Sequence, residues 1–385
     1  MARKQKSKYQ PARRKRGSGF GRFALLVLIA CGGYLFWRHE HGHGSQNDHA
    51  KGSLDHGIAA EVDASIAAGV SKPNPAPSPQ PQLQPQPPLI SRQSPSDFPR
   101  PVLSILEAQI ALARRAISPG SIDGVPGSQT REAISVFQEI QNLPVTGDLD
   151  DQTRSNLTLN APILTSYTVS TNDLATLQPL GATWLARSEQ SSLAYETELE
   201  LVAEKSHSSP TLIKKLNPNV DWANITAGTA LQIPDVAYPD PDADGKAAFV
   251  VIHLSDRYLE AFDQDTNLLL HFPCSIAKKV EKRPVGELHV TVIIQNPNYT
   301  VDPDLFPESD ELQKIGHKLV LPPGPKNPVG VAWMGLDKPG YGMHGTPNAV
   351  EVGRTESHGC FRLANWDAEY LSQLVWVGMP VEVVQ

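Results

Sequence analysis

A chain of 385 residues has room for two to four domains, and three cysteines in that length exclude a disulfide-built scaffold. The formal net charge of −7 conceals an asymmetry, because residues 1–22 carry nine Lys or Arg and no acid. The remainder is decidedly acidic, which excludes nucleic acid as the main partner of the folded part.

Residues 1–22 read as a basic tail. It leads into an apolar run, Phe23 to Trp37, which is closed by Arg38-His39-Glu40. A membrane helix needs roughly 17–25 residues, so this run is at the short end. Tyr34 and Trp37 suit the far interface, and the preceding cations suit the cytoplasmic side. Read this way, 23–37 is an uncleaved signal anchor with the bulk of the chain outside the cytoplasm. Two other readings stay open. One is a cleaved signal peptide, although no small-x-small site stands out after the run. The other is a lipoprotein, because Leu28-Ile29-Ala30-Cys31-Gly32 resembles a lipobox that would make Cys31 the modified residue. Residues 38–100 have no sustained periodicity and read as a Pro/Gln-rich linker. His39, His41 and His43 suggest a metal, but a solvated linker accounts for them. At ~3.1 Å per residue, a proline-stiffened spacer of about thirty residues reaches roughly 90 Å.

Residues 101–160 carry helical signals. Val102, Ile105, Leu106, Gln109, Ile110 and Ala113 form one stripe, and Ala133, Ile134 and Phe137 form another after Thr130. Turns are expected at Asp123-Gly124 and at Gly147, with a short helix after Asp150. The spacing of Asp123-Gly124, Gly127, Thr130, Ala133, Phe137-Gln138, Leu143 and Gly147 resembles the three-helix peptidoglycan-binding module. Residues 161–238 read as strand (Tyr167–Val169), helices (198–207 and 211–216), then turn and strand (Ile225 to Pro234). That order, with Leu216-Asn217-Pro218 and the closing Leu231-Gln232-Ile233-Pro234, is similar to a LysM module, which binds N-acetylglucosamine polymers. Here the usual opening motif is absent and more than twenty residues are inserted after the first strand. Asp235 to Gly245 is a Pro/Asp linker without calcium-loop spacing.

From Phe249 the pattern becomes β-branched runs between Asp, Gly and Asn turns: 249–254, 258–262, 268–272 and 289–294. Asn296 to Pro328 is proline-rich with few apolar runs, and a loop of that length is expected to serve a site, here as a lid beside a cleft. A helix near Trp366–Leu374 and a last strand within 375–384 close the chain. Before them stand Met343-His344-Gly345-Thr346 and Ser357-His358-Gly359-Cys360-Phe361-Arg362-Leu363. A thiol attacks as the thiolate, which is scarce near neutral pH for a free cysteine with a pKa of ~8.5. An adjacent imidazole can take the proton and return it to a leaving amine. Gly359 permits a tight turn whose backbone N–H groups would hold an oxyanion. A buried structural cysteine, or a zinc ion on His344, His358 and Cys360, is the competing reading; neither a CxxC nor an HxxxH pattern supports the metal.

The segment HGT…SHGCFRL resembles the active-site signature of the L,D-transpeptidase (YkuD-type) catalytic domain. Arg283-Pro284-Val285-Gly286-Glu287-Leu288 resembles a second motif of that family, with Arg283 in place of its usual Thr. Leu321 to Gly330 (LPPGPKNPVG) resembles a third. The likeness spans 246–385 and implies a mainly β catalytic domain, a YkuD-type β-sandwich, preceded by a small three-helix domain and a small α+β LysM-like domain. It implies that Cys360 is the nucleophile and His344 the base, and that the amides near Gly359 and Cys360 form the oxyanion hole. Ser357 and His358 would shape the site, and Arg362, Gly345 and Thr346 would meet substrate. Cys274 and Cys360 are expected to stay unpaired, since a bridge would silence the nucleophile. No metal and no cofactor are implied. The expected activity is acyl transfer from a stem tetrapeptide to an amine on another stem, cross-linking peptidoglycan at the bacterial cell envelope. The same thiol chemistry would serve an L,D-carboxypeptidase, an endopeptidase or protein attachment, and an inactive wall-anchoring protein is the non-enzymatic alternative.

Overall fold

In the computed structural model the described residues are 97–241, 245–355, 357 and 359–385. The expected anchor at 23–37, Cys31, the three linker histidines and His358 lie outside them. Among the described residues no helix is long and apolar enough to cross a membrane.

The first module opens with β1 (Arg100–Pro101), which pairs antiparallel with β2 (Thr158–Leu159) and ties its two ends together. Between them run α1 (Ile105–Ala113), α2 (Ser128–Ile140) and α3 (Asp151–Asn156). Ser104 Oγ caps α1 by accepting the Glu107 N–H at 3.2 Å, and Asp150 does the same for α3 through Thr153. Two buried glutamines hold the turns. Gln109 Oε1 accepts the Gly124 N–H at 2.8 Å, and Gln138 Oε1 accepts the Thr146 and Gly147 N–H groups at 2.8 and 2.9 Å. Gly124 and Gly147 sit at φ +74° and +68°, which explains glycine at both turns. Burial on α1 extends beyond the expected stripe, because every residue from Glu107 to Ala113 is buried. Neighbouring segments cover its other faces. Arg114 donates to the carbonyls of Ala161, Pro162 and Asp235, and Ile117 bridges His271.

The middle module pairs β3 (Leu164–Thr168) antiparallel with β4 (Ala230–Pro234). The helices α4 (Thr171–Thr176), α5 (Trp184–Ser188), α6 (Glu198–Lys205) and α7 (Pro210–Leu216) lie between them in the chain. Asn217 locks the closing strand, because its side chain both accepts from Gln232 N and donates to Gln232 O, each at 2.8 Å. Val169, Leu201, Val202, Ile213 and Leu231 form its small core.

The catalytic segment carries one eight-stranded sheet. In spatial order its strands are β13 (Phe361–Arg362), β12 (Gly342–His344), β11 (Ala332–Leu336), β8 (Gly286–Gln295), β14 (Pro380–Val384), β5 (Phe249–His253), β6 (Tyr258–Phe262) and β7 (Leu268–Pro273). The expected two-layer sandwich therefore takes the form of one continuous sheet. Its long strand β8 makes the join: its first half pairs with β14 and its second half with β11. A single core draws on both ends of the sheet, from Leu259, Leu270 and Phe272 to Met334, Met343 and Phe361, together with helix α9 (Asn365–Leu374). The stretch expected as an irregular lid holds structure: β9 (Tyr299–Val301) pairs with β10 (Leu319–Leu321) around α8 (Asp310–Ile315).

The three modules meet at a buried polar junction. His207 stacks on Trp366 at 5.1 Å, Tyr238 donates to Asp367, and Ser118 Oγ donates to Asp367 Oδ2 at 3.3 Å. Burial pushes Asp367 up to about 7 against the opposing Tyr238 and Ser118 bonds. It pushes Glu204 up to about 8, opposed by Asn365 and Lys326 and reinforced by Asp367 and Glu369. Both values exceed the ordinary 3.8 and 4.5, so the protonated acids are what the junction buries. Their contribution to stability is intact below the ordinary carboxylate range and is lost as pH rises through about 7 to about 8. We expect the thermal midpoint of the full chain to fall between about pH 5 and about pH 9, and Glu204→Gln to flatten that slope. A wild-type midpoint that rises over this range would contradict the reading.

Candidate active site

Two short strands bring the signature residues together. β12 and β13 are parallel, with Met343 opposite Phe361 and His344 opposite Arg362. Met343 and Phe361 both face the core. Strand alternation then turns Gly342, His344 and Arg362 to the opposite face, and Cys360 enters β13 from the preceding loop, against the Gly342 backbone. Cys360 falls beside Gly342, which offers no side chain, and diagonally from His344. Residues sixteen apart in the chain thus come together.

The loop carrying Cys360 is laced to its neighbours. Ser357 N donates to Ile276 O at 2.8 Å and Lys278 N to Ser357 O at 2.9 Å; Arg362 and Ser275 exchange backbone bonds at 2.8 and 2.9 Å. Arg283, the departure from the family pattern, donates Nε–H to Ala277 O at 2.8 Å and so braces the segment that holds the loop. Ser357 Oγ donates to Cys360 O at 2.6 Å and accepts the Gly359 N–H at 3.2 Å. The Gly359 amide, one of the two expected oxyanion donors, already has an acceptor in this structure.

His344 is buried, and its Nδ1 lies 2.6 Å from Gly345 O. A carbonyl only accepts, so Nδ1 carries the proton and Nε2 keeps the lone pair. Trp333 stacks on the ring at 5.5 Å and 24°. Burial, with Arg362 adding and the Gly345 bond opposing, holds the imidazole down at about 4. Cys360 is partly buried, and its Sγ–H donates to Gly340 O at 3.4 Å. Burial pushes this thiol up to about 11, opposed by the Gly342 backbone bond and by Arg362. At neutral pH the site therefore holds a neutral thiol and a neutral imidazole, the pairing a general base needs.

The structure divides the remaining expected residues. Arg362 lies where its charge reaches Cys274, Cys360 and His344, with Glu351 on its other side. Thr346 is buried and its Oγ1 accepts the Asn348 N–H at 3.4 Å; Gly345 N donates to Ala332 O at 3.2 Å. Cys274 is a second free thiol, fully buried and raised by that burial. Among the described residues no group of three His, Cys, Asp or Glu could hold a metal ion. Sequence reasoning missed three contributors: Trp333 beneath the base, the Gly342 amide at the thiol, and Asn365 behind Gly345. Only the third left a signal, being the residue that opens the helix after the signature.

Comparison with known proteins follows the same division. Residues 247–383 match the model of the L,D-transpeptidase catalytic domain. That segment is an L,D-transpeptidase catalytic domain. Residues 103–157 match the model of a peptidoglycan binding domain. The Bacillus licheniformis protein named as L,D-transpeptidase YkuD is 25% identical over 185 residues, covering 48% of this chain and 92% of that protein. The Escherichia coli protein named as L,D-transpeptidase YbiS is 27% identical over 198 residues, which is 48% of this chain and only 60% of that protein. The crystal structure of L,D-transpeptidase 3 from Mycobacterium tuberculosis aligns at 18% identity and a TM-score of 0.28, over 42% of this chain and 77% of that one. In the L,D-transpeptidase segment of this chain, the matched residues include β12, which carries His344, β13, and the loop before it that carries Cys360.

Proposed function

We propose that the full chain is a cell-envelope enzyme that cross-links peptidoglycan by thiol acyl transfer, with Cys360 as nucleophile and His344 as base. The observation that carries this is the fixed tautomer of His344, whose Nδ1 is held by Gly345 O at 2.6 Å so that Nε2 is free to accept the thiol proton. Nε2 takes the Sγ proton as the Cys360 sulfur bonds to the carbonyl carbon of a stem tetrapeptide. It returns that proton to the leaving nitrogen as the C–N bond breaks, releasing the terminal amino acid. The acceptor amine of a second stem then gives its proton to Nε2 as it attacks the thioester carbon, and Nε2 returns that proton to the Cys360 sulfur as the C–S bond breaks. The Arg362 charge, beside both thiol and imidazole, favours the thiolate over the thiol and disfavours the imidazolium. Arg362, Gly345 and Thr346 contact substrate in this reading, and Ser357 holds the loop; the amides near Gly359 and Cys360 face the oxyanion once the Gly359 N–H leaves Ser357 Oγ. His358 completes the motif.

The neighbouring modules fit the same reading. The first holds the enzyme to peptidoglycan. The middle one, with its antiparallel strand pair and intervening helices, serves as a LysM-like glycan binder. The apolar run at 23–37 tethers the chain to the membrane with the folded part outside, and the proline-rich linker gives it reach. Incubating the full chain in detergent with purified disaccharide-tetrapeptide, with products read by mass spectrometry, tests the acceptor. Cross-linked dimers are expected. Tripeptide alone would assign the chain to hydrolysis, and neither product from a folded chain would leave a wall-binding protein.

A further inference from the structure

The stretch 180–193 belongs by sequence to the middle module, yet Leu180, Trp184 and Leu193 pack on the catalytic domain. Leu193 is fully buried among Val301, Leu312, Leu319 and Leu321 of the lid, with Trp184 packed alongside. None of these residues belongs to the core of the catalytic sheet. The lid has a small core of its own, and part of that core comes from another module.

The contact extends to the backbone. Leu193 N donates to Pro323 O and Lys326 N donates to Leu193 O, both at 2.9 Å. Gly324 stands between these bonds at φ +139°, and a Cβ there would collide with the Leu193 backbone. Only glycine allows the approach. Lys326 Nζ closes the contact with Glu200 at 2.9 Å and Glu196 at 3.6 Å.

The far side of the same turn bears on the base. Asn365 Nδ2 donates to Pro325 O at 3.1 Å, and its Oδ1 accepts the Val331 N–H at 3.3 Å. Gly330 lies so close to Gly345 that a Cβ on it would stand 2.6 Å from the Gly345 carbonyl carbon. That carbonyl is the group holding His344 Nδ1. Glu204 of the middle module also bonds the Asn365 side chain.

We propose that the middle module is a positioning element for the catalytic base, acting through the docking of Leu193, Glu196 and Glu200 on the Pro323–Gly330 turn, which carries Lys326 and backs Gly345 and His344. The mechanistic consequence rests on the proposed acyl transfer; the physical coupling does not. A loosened turn frees the Gly345 carbonyl, lets the imidazole rotate, and admits water to it. Misplacement of a catalytic group by about 1 Å costs on the order of a hundredfold in rate.

Two variants of the full chain test this, Leu193→Asp and the milder Lys326→Met. Three readouts are taken: hydrogen exchange across residues 319–331, kcat and KM for cross-linking, and the pH dependence of His344 carbethoxylation followed by peptide mass. We expect exchange to rise and kcat to fall about tenfold to a hundredfold, with KM within about twofold. His344 should titrate upward, from about 4 toward its ordinary 6.5. A variant that only lowers the folded fraction would reduce rate at every pH without moving that titration. Raised exchange with unchanged kcat and titration would overturn the proposal, and so would unchanged exchange in both variants. Should Leu193→Asp fail to fold, Lys326→Met decides. A wild-type chain without transferase activity would defeat the proposed function, while exchange and His344 titration would still report on the coupling.

Discussion

Cys360→Ala is expected to abolish covalent acylation by a carbapenem and to reduce cross-linking by about 10⁴-fold or more, with the fold intact. Alanine removes the sulfur that the signature supplies, and Cys274 cannot substitute. That thiol is fully buried in the sheet core and its burial disfavours the thiolate. Intact-protein mass spectrometry after incubation reads the result, and an adduct on the variant would reassign the nucleophile. The pH dependence of the wild type sharpens the expectation. Because the Cys360 thiol is pushed up to about 11, simple alkylation by iodoacetamide should be slow at neutral pH and rise steadily in alkali. Acyl transfer uses His344 to remove the proton during attack, so it should already be near full rate at neutral pH. A thiolate formed beforehand would instead make both reactions fast at neutral pH.

His344→Gln is expected to lower kcat by about 10²–10⁴-fold. Glutamine can fill part of the imidazole's place and still donate to Gly345 O, but it cannot accept the thiol proton. The acid limb of the wild-type rate profile tests the same group. The folded imidazole is held down at about 4, so its neutral, proton-accepting form persists throughout the mildly acidic range and is lost as pH falls through about 4. Steady-state rates measured from about pH 3 to about pH 8 should show that limb in the wild type and not in the variant. A limb near the ordinary imidazole value would mean that the ring is solvated during turnover.

The parts legible in sequence are those with a local physical cause. β5, β6 and β7 were readable because short runs of aliphatic and aromatic residues fill them between Asp and Asn turns. The helix after Asp150 follows from a side chain that accepts an N–H bond at its start. Strands β9 to β13 were not readable. Each is two to five residues long, too short for an alternating pattern to stand out, and their partners lie across turns or in distant segments. The further burial on α1 has the same origin, since it comes from the arrival of other modules.

By itself the sequence determined the reacting chemistry: a thiol, an imidazole and a glycine turn at fixed spacing, because residue type alone sets which group can attack, accept a proton or bend. Tertiary structure decided how those groups work together. The parallel register of β12 on β13 brings His344 and Cys360 together. Burial keeps both neutral at rest, and the engagement of Gly359 by Ser357 restricts the oxyanion donors. It also seated Leu193 of one module against the Pro323–Lys326 turn of another. These depend on desolvation and on contacts between residues far apart in the chain, and neither quantity is a property of any residue alone.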